Sequence, residues 1–241
     1  MGFAIVAGGN PNMAVPVAGI AAGDIAVGST VKLMESGTAV EYLVVNQGIP
    51  SNSSLYDASC DGTWLLRKDI HSERQWNTSD ANIYETSTIN TWLNGDFFNS
   101  LGTTEQAVVK QVKIPYRRGG SGGSDQSGAN GLSCKVFLLG GYEVGWTTSN
   151  NQYFPHDGAK LDYFTASSDG DSKRIAKLNG SATGWWLRSP YTGDTGIVCF
   201  VGGNGSYYFG NASISRGIRP AVILPSNALF DETTMLLKGV A

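Results

Sequence analysis

The residues most able to do chemistry in this chain are few and scattered. Gly119-Gly120-Ser121-Gly122-Gly123 has the Gly-x-Ser-x-Gly spacing that presents a serine nucleophile on a sharp strand-to-helix turn. No apolar strand leads into it, no helical pattern follows, and only His71 and His156 are available as a base. The stretch therefore reads as a Gly/Ser-rich loop. Asp157, Asp162, Asp169 and Asp171 fall within fifteen residues, a carboxylate density that could hold calcium, but their spacing fits no EF-hand loop. Cys60, Cys134 and Cys199 are odd in number and widely spaced, which is neither a disulfide framework nor a zinc pattern. They read as small buried apolar residues. Arg188 and Arg219 sit inside apolar blocks. Such an arginine can take a ligand carboxylate, and more commonly satisfies backbone carbonyls or a buried acid, here Glu143 or Asp162. No catalytic residue, cofactor or metal site is expected.

Recognition chemistry is more legible. Tyr191 to Ser215 holds six Gly, three Tyr and two Phe among many Ser, Thr and Asn. Tyr offers large contact area with few rotors to freeze, and Gly, Ser and Asn offer adaptable hydrogen bonding, as in an antibody-like paratope. The expected ligand contacts are Tyr191, Thr192, Asp194, Thr195, Phe200, Asn204, Ser206, Tyr207, Tyr208, Phe209 and Asn211. Adjacent Tyr207-Tyr208-Phe209 cannot all point inward on a strand. In Ile197–Val201, Val198 is expected inside and Phe200 exposed.

Elements that could position this surface flank it. Trp185-Trp186-Leu187-Arg188-Ser189-Pro190 and Gly217-Ile218-Arg219-Pro220-Ala221-Val222-Ile223-Leu224 look like scaffold. Strands are expected at 185–188, 197–201, 206–209 and 218–224, the last a continuous apolar run covered on both faces. Thr30–Met34 and Val40–Val45 form a hairpin turned by Glu35-Ser36-Gly37-Thr38, and Thr63–Arg67 is a short strand. Ser87 to Leu93 has helical spacing and ends at Asn94-Gly95. Thr103 and Gln106, at capping-box spacing, open a second helix toward Val112, stopped before Pro115. The core is expected from Trp64, Trp92, Trp146, Trp185 and Trp186 with Ile218, Val222 and Leu224. Lys135–Leu139 and Gly141–Thr147 read as strands or a strand and a turn.

Charged residues make up 15% of the chain, net charge is −3 and there is no basic stripe, which argues against nucleic acid as partner. Residues 1–24 read as an attachment arm or linker before a domain at 25–241. Met1–Ala22 lacks a basic leader region, and Gly8-Gly9-Asn10-Pro11 breaks its apolar run, so neither a signal peptide nor a membrane span is expected.

The blocks Trp185–Pro190 and Gly217–Ala221, with Ser87–Asn94, Gly141–Trp146 and Arg174–Gly180, resemble a group of domains of unknown function common in Firmicutes and their phages. That group looks like a branch of the C-type lectin fold. The resemblance covers most of 25–226 and implies an α+β chain with small antiparallel sheets, two helices and long irregular loops. Similar proteins include the variable proteins of diversity-generating retroelements. There, adenine rewriting of AAY codons excludes Lys, Glu, Gln, Met and Trp. Residues 191–215 lack all five, although these types fill 32 of the 241 positions and about three would be expected. The calcium-dependent sugar motifs of C-type lectins, and the reactive cysteine pair of the formylglycine-generating relatives, do not occur here. The resemblance implies a non-enzymatic receptor-binding protein of a phage tail or bacterial surface, recognising a protein or glycan. An enzyme with its cleft in the 117–171 loops, using His156, Asp157 and Asp162, and a structural surface module are the alternatives.

Overall fold

Along the chain the strands are β1 (Ile20–Ala21), β2 (Thr30–Glu35), β3 (Thr38–Gln47), β4 (Thr63–Arg67), β5 (Ser72–Gln75), β6 (Val112–Ile114), β7 (Tyr116–Arg117), β8 (Asp125–Gln126) and β9 (Leu132–Cys134). They continue as β10 (Ala176–Leu178), β11 (Ser181–Thr183), β12 (Trp185–Pro190), β13 (Ile197–Val201), β14 (Tyr207–Asn211), β15 (Ser215–Ile218), β16 (Ala221–Leu224), β17 (Ala228–Phe230) and β18 (Leu237–Val240). The short helices are α1 (Thr88–Trp92), α2 (Phe98–Ser100) and α3 (Thr103–Val108). This computed structural model describes residues 18–51, 53–147, 153–167 and 170–241. The architecture is α+β and mostly sheet.

Two sheets organise the core. One has the order β16-β4-β3-β2, the other β14-β13-β12-β15-β5. In the first, Ser36 and Gly37 turn the β2–β3 hairpin with φ of 46° and 80°, the left-handed values a two-residue hairpin loop requires. Alternation then buries Val31 and Leu33, while the central β4 is covered on both faces. Glu35 at the hairpin end is buried, accepting from Tyr42 Oη at 2.5 Å and pairing with Arg67 at 3.0 Å.

The apolar run 218–224 is not one strand. Ile218 ends β15 in the five-stranded sheet and Ala221 begins β16 in the four-stranded one. Pro220 cannot donate to a ladder, and Arg219 at the break donates to the carbonyls of Arg67 and Lys68. The expected core holds, except that Trp92 is only half-buried; Trp76, absent from that expectation, is fully enclosed.

The first expected helix does not stop at Asn94-Gly95. It passes through a π-helical turn, Leu93–Phe97, into α2. Asn94 is held by a segment far along the chain, accepting from the N–H groups of Lys135 and Val136 and donating to Val136 O. Ser87 caps α1 through Asn90 N. The second helix ends early, at Val108, and β6 follows. Thr103 is not its cap; Gly102 takes that position, and Gln106 donates to Asn99 and Leu101 carbonyls. Residues 135–139 contribute only an isolated bridge, Phe137 to Ala221.

Residues 1–17 of the expected arm lie outside the described residues. Ile20 and Ala21 pair with Phe230 and Leu229, and Ala22 is fully buried, so the folded body includes residues 20–24. Among the described residues no helix is long and apolar enough to cross a membrane.

Candidate functional site

Strands β12, β13 and β14 carry the site. Every residue of β12 is buried. Its register places Trp186 opposite Phe200 and Trp185 opposite Val201. The β13–β14 register then places Phe200 opposite Tyr208 and Cys199 opposite Phe209. Since directly opposed residues share a face, the hairpin sorts its aromatics into two sets.

One set packs inward. Tyr207 and Phe209 are half-buried among Trp146, Phe154, Tyr153 and Tyr191, with ring centroids 4.9–6.0 Å apart. Tyr191, Tyr207 and Phe209, three of the expected ligand contacts, are therefore packed against one another rather than standing alone. They form one aromatic cluster whose outer rim, with Tyr153 and Ile197, borders an apolar cleft of about 350 Å³.

The other set faces outward. Tyr208 is 46% exposed and stacks on Phe200, centroids 5.6 Å apart at 22°. Phe200 is only 8% exposed, which corrects the expectation of an exposed Phe200. Val198 and Phe200 are two residues apart and so share a face; Phe200 is covered by Tyr208, by the edge of Trp186 at 5.5 Å and by the Arg216 guanidinium at 4.9 Å. Beside it opens a cavity of about 450 Å³ lined by Glu73, Thr183, Gly184, Phe200, Gly202, Gly203, Asn204, Tyr208 and Arg216. Glycine shapes it: a Cβ on Gly202 would lie 2.5 Å from the Tyr208 ring.

Thus Phe200, Asn204 and Tyr208 share one cavity, while Tyr191 and Phe209 border another. The remaining expected contacts are spread around them. Asn204 Oδ1 accepts from Ser206 N, making these two a turn. Thr192 N bonds Tyr153 O. Asp194 Oδ1 accepts from Gly196 N, so its carboxylate shapes its own loop. Thr195 and Asn211 are exposed.

Residues outside that set position the loop. Asn82, 1% exposed, donates through Nδ2 to Asp194 O and Ile197 O, and its Oδ1 accepts from Gly120 N. Its own N–H bonds Thr195 O. Gly120 must be glycine, because a Cβ there would meet Asp194 O at 1.8 Å and Tyr191 O at 2.1 Å. The Gly-Ser loop 119–123 is thus the turn between β7 and β8, docked under the 191–197 loop. Sequence reasoning missed Asn82, Arg216 and Glu73. Arg216 is one residue beyond the Gly/Tyr-rich segment, and the other two approach it only through the fold.

Beneath the surface, Arg188 pairs with Glu143 at 2.6 Å with both side chains fully buried; of the two acids the sequence offered, Glu143 is its partner and Asp162 is not. Asp157 is buried beside them, its Oδ2 accepting from Ser189 Oγ. Burial raises the Asp157 pKa to about 7, against the opposing pull of Arg188. His156 and Asp162, the other residues of the alternative enzyme cleft, are exposed, and His156 stacks on Tyr142. Asp171 caps a short 3₁₀ turn through Lys173 N, and Asp169 lies outside the described residues. Among the described residues no three His, Cys, Asp or Glu are grouped to hold a metal ion. All three cysteines are free and buried; burial pushes the Cys60 thiol up to about 12 and raises Cys134 and Cys199 as well.

Residues 61–226 match the family model described as a domain of unknown function, DUF6273. No curated protein and no solved structure matches the chain.

Proposed function

We propose that this chain, which belongs to the DUF6273 family, is a non-enzymatic binding protein with a C-type lectin-like body that presents its recognition surface on the β13–β14 hairpin and the loops at its ends. One observation carries the reading. A fully buried frame strand, Trp185–Pro190, flanked on its far side by Gly217 and Ile218, pairs directly with a hairpin whose Tyr208 and Asn204 are exposed beside a glycine-walled cavity. The frame supplies stability, so the exposed positions are free to serve recognition. Clustered aromatic and glycine-rich surface of this kind suits shape-based contact with a protein or glycan. The exposed subset, rather than all of 191–213, is what a diversifying retroelement could rewrite without unfolding the domain. A phage tail or bacterial surface is the corresponding location.

The test is an array of bacterial surface proteins and cell-wall glycans probed with the native chain and with an Asn204→Ala/Tyr208→Ala variant. Selective capture by the native chain, lost in a variant that still unfolds cooperatively and melts within about 4 °C of native, is expected. Equal capture by both would overturn the reading. For the diversification component, the DNA 3′ of the gene should hold a template repeat differing from codons 191–215 only at adenines, beside a reverse transcriptase. A flank without such a repeat removes that component.

A further inference from the structure

The solvent face of the five-stranded sheet carries two arginines in direct register. Arg216 of β15 lies opposite Arg74 of β5. Like charges directly opposed across a strand pair are destabilising, yet among the described residues neither has an ion-pair partner. Each instead lies on an aromatic ring: Arg74 at 4.0 Å from the Trp92 centroid, Arg216 at 4.9 Å from that of Phe200. These ring contacts leave guanidinium donors available. Of the five donors on a guanidinium, Arg216 commits one, Nη1 to Ser215 O at 3.2 Å.

The 450 Å³ cavity opens beside Arg216. Tyr208, the most exposed aromatic of the hairpin, lines the same cavity. Gly184, Gly202 and Gly203 supply backbone walls, and Asn204 a side-chain amide. Arg74 borders the neighbouring depression with Gln75, Thr88 and Trp92. Glu73 lies on the Arg216 rim, opposite Gly217, and is exposed. It can accept from a hydroxyl or ammonium group on the ligand.

We propose that this cavity binds a ring-bearing oxyanion, a carboxylate, sulfate or phosphate on an aromatic or pyranose ring. The ring lies against Tyr208, the anion takes the free donors of Arg216, and Arg74 adds the second positive charge. A guanidinium with free donors offers the planar fork that such anions accept, and a bound anion offsets the repulsion of two cations in direct register. The inference rests on the reading of this face as the recognition surface and specifies its ligand chemistry.

The experiment is titration calorimetry on the full chain with 4-nitrophenyl sulfate, 4-nitrophenyl phosphate, benzoate and glucuronate, each against a neutral counterpart (methyl benzoate, glucose). At least one anion should bind about tenfold tighter than its neutral counterpart. Its affinity should fall between about 50 mM and about 500 mM salt, fall about tenfold in R216Q, and recover in part in R216K. R74Q should weaken the same anion less, and Y208S should weaken it through the ring. Whether the aryl or the pyranose arm binds identifies the ring. Equal binding of anions and neutrals, or an unchanged affinity in R216Q, overturns the inference. Neutral ligands bound through Tyr208 without charge preference would overturn it while leaving the binding reading standing. Absence of binding by the whole panel overturns it too, and array capture lost in the Asn204→Ala/Tyr208→Ala variant then shows whether the broader reading survives.

Discussion

Arg188 and Glu143, forty-five residues apart, meet as a bidentate pair, Nη1 to Oε2 at 2.6 Å and Nη2 to Oε1 at 2.7 Å, without solvent exposure. The other guanidinium donors go to the carbonyls of Pro115, Leu138 and Asp157. Tyr56 Oη and Gly140 N donate to Glu143. Every donor of the guanidinium is used, so it holds four chain segments to β12. Removing one partner strands the other charge in the interior. Arg188→Met is therefore expected to lower unfolding free energy by about 3–5 kcal/mol in urea titration. Arg188→Met with Glu143→Leu should cost less than the sum of the single changes; additive costs would show that the two groups act independently.

Asp157 makes stability depend on pH. Its folded pKa, about 7, lies above the ordinary 3.8, because burial disfavours the charged form. The fold therefore favours the protonated carboxyl. That contribution is fully present below 3.8 and is lost as pH rises through about 7. Unfolding free energy should fall with rising pH across this window, by up to about 4 kcal/mol. Asp157→Asn should abolish that slope. A variant with the native pH profile would place the effect elsewhere.

Tyr208 and Phe209 are neighbours with opposite roles. Tyr208→Ser removes an exposed ring and one stacking partner, and is expected to cost about 1 kcal/mol. Phe209→Ser opens the inner aromatic cluster and should cost about 2–3 kcal/mol. Thermal melts of the two variants decide it; equal shifts would mean that the strand does not sort its faces as described.

Asn82 clasps the 120 and 194–197 segments. Asn82→Ala leaves Gly120 N, Asp194 O and Ile197 O without their partner, a loss of about 2–4 kcal/mol. Hydrogen exchange should speed up at both 119–123 and 191–197 in this variant. Faster exchange in only one of them would show that the loops are fixed separately.

The thiols offer a simple check on the interior. Cys60, Cys134 and Cys199 are buried with raised pKa values, and the thiolate is the reactive form. An aromatic disulfide reagent should label none of them in the native protein at neutral pH and all three after denaturation. Rapid native labelling of Cys199 would place β13 at the surface.

Local patterns in the sequence determined the local structure. The Ser36-Gly37 turn, the buried β12 block and the apolar cysteines follow from turn chemistry and hydrophobic patterning, which act within a few residues. The composition of 191–215 marked a segment distinct from the apolar blocks on either side of it. Which of its aromatics face out was decided by tertiary contacts: Trp146, Phe154 and Tyr153 cover Tyr207 and Phe209, and Arg216 helps to cover Phe200. The same holds for the π-helical turn at Asn94, held by Lys135 and Val136, and for the break at Arg219, anchored on Arg67 and Lys68. Arg74 and Arg216, 142 positions apart in the chain, became neighbours only when β5 paired with β15. Period and propensity fix how a strand alternates. What covers each face is set by segments brought from far along the chain, and no short-range pattern encodes their arrival.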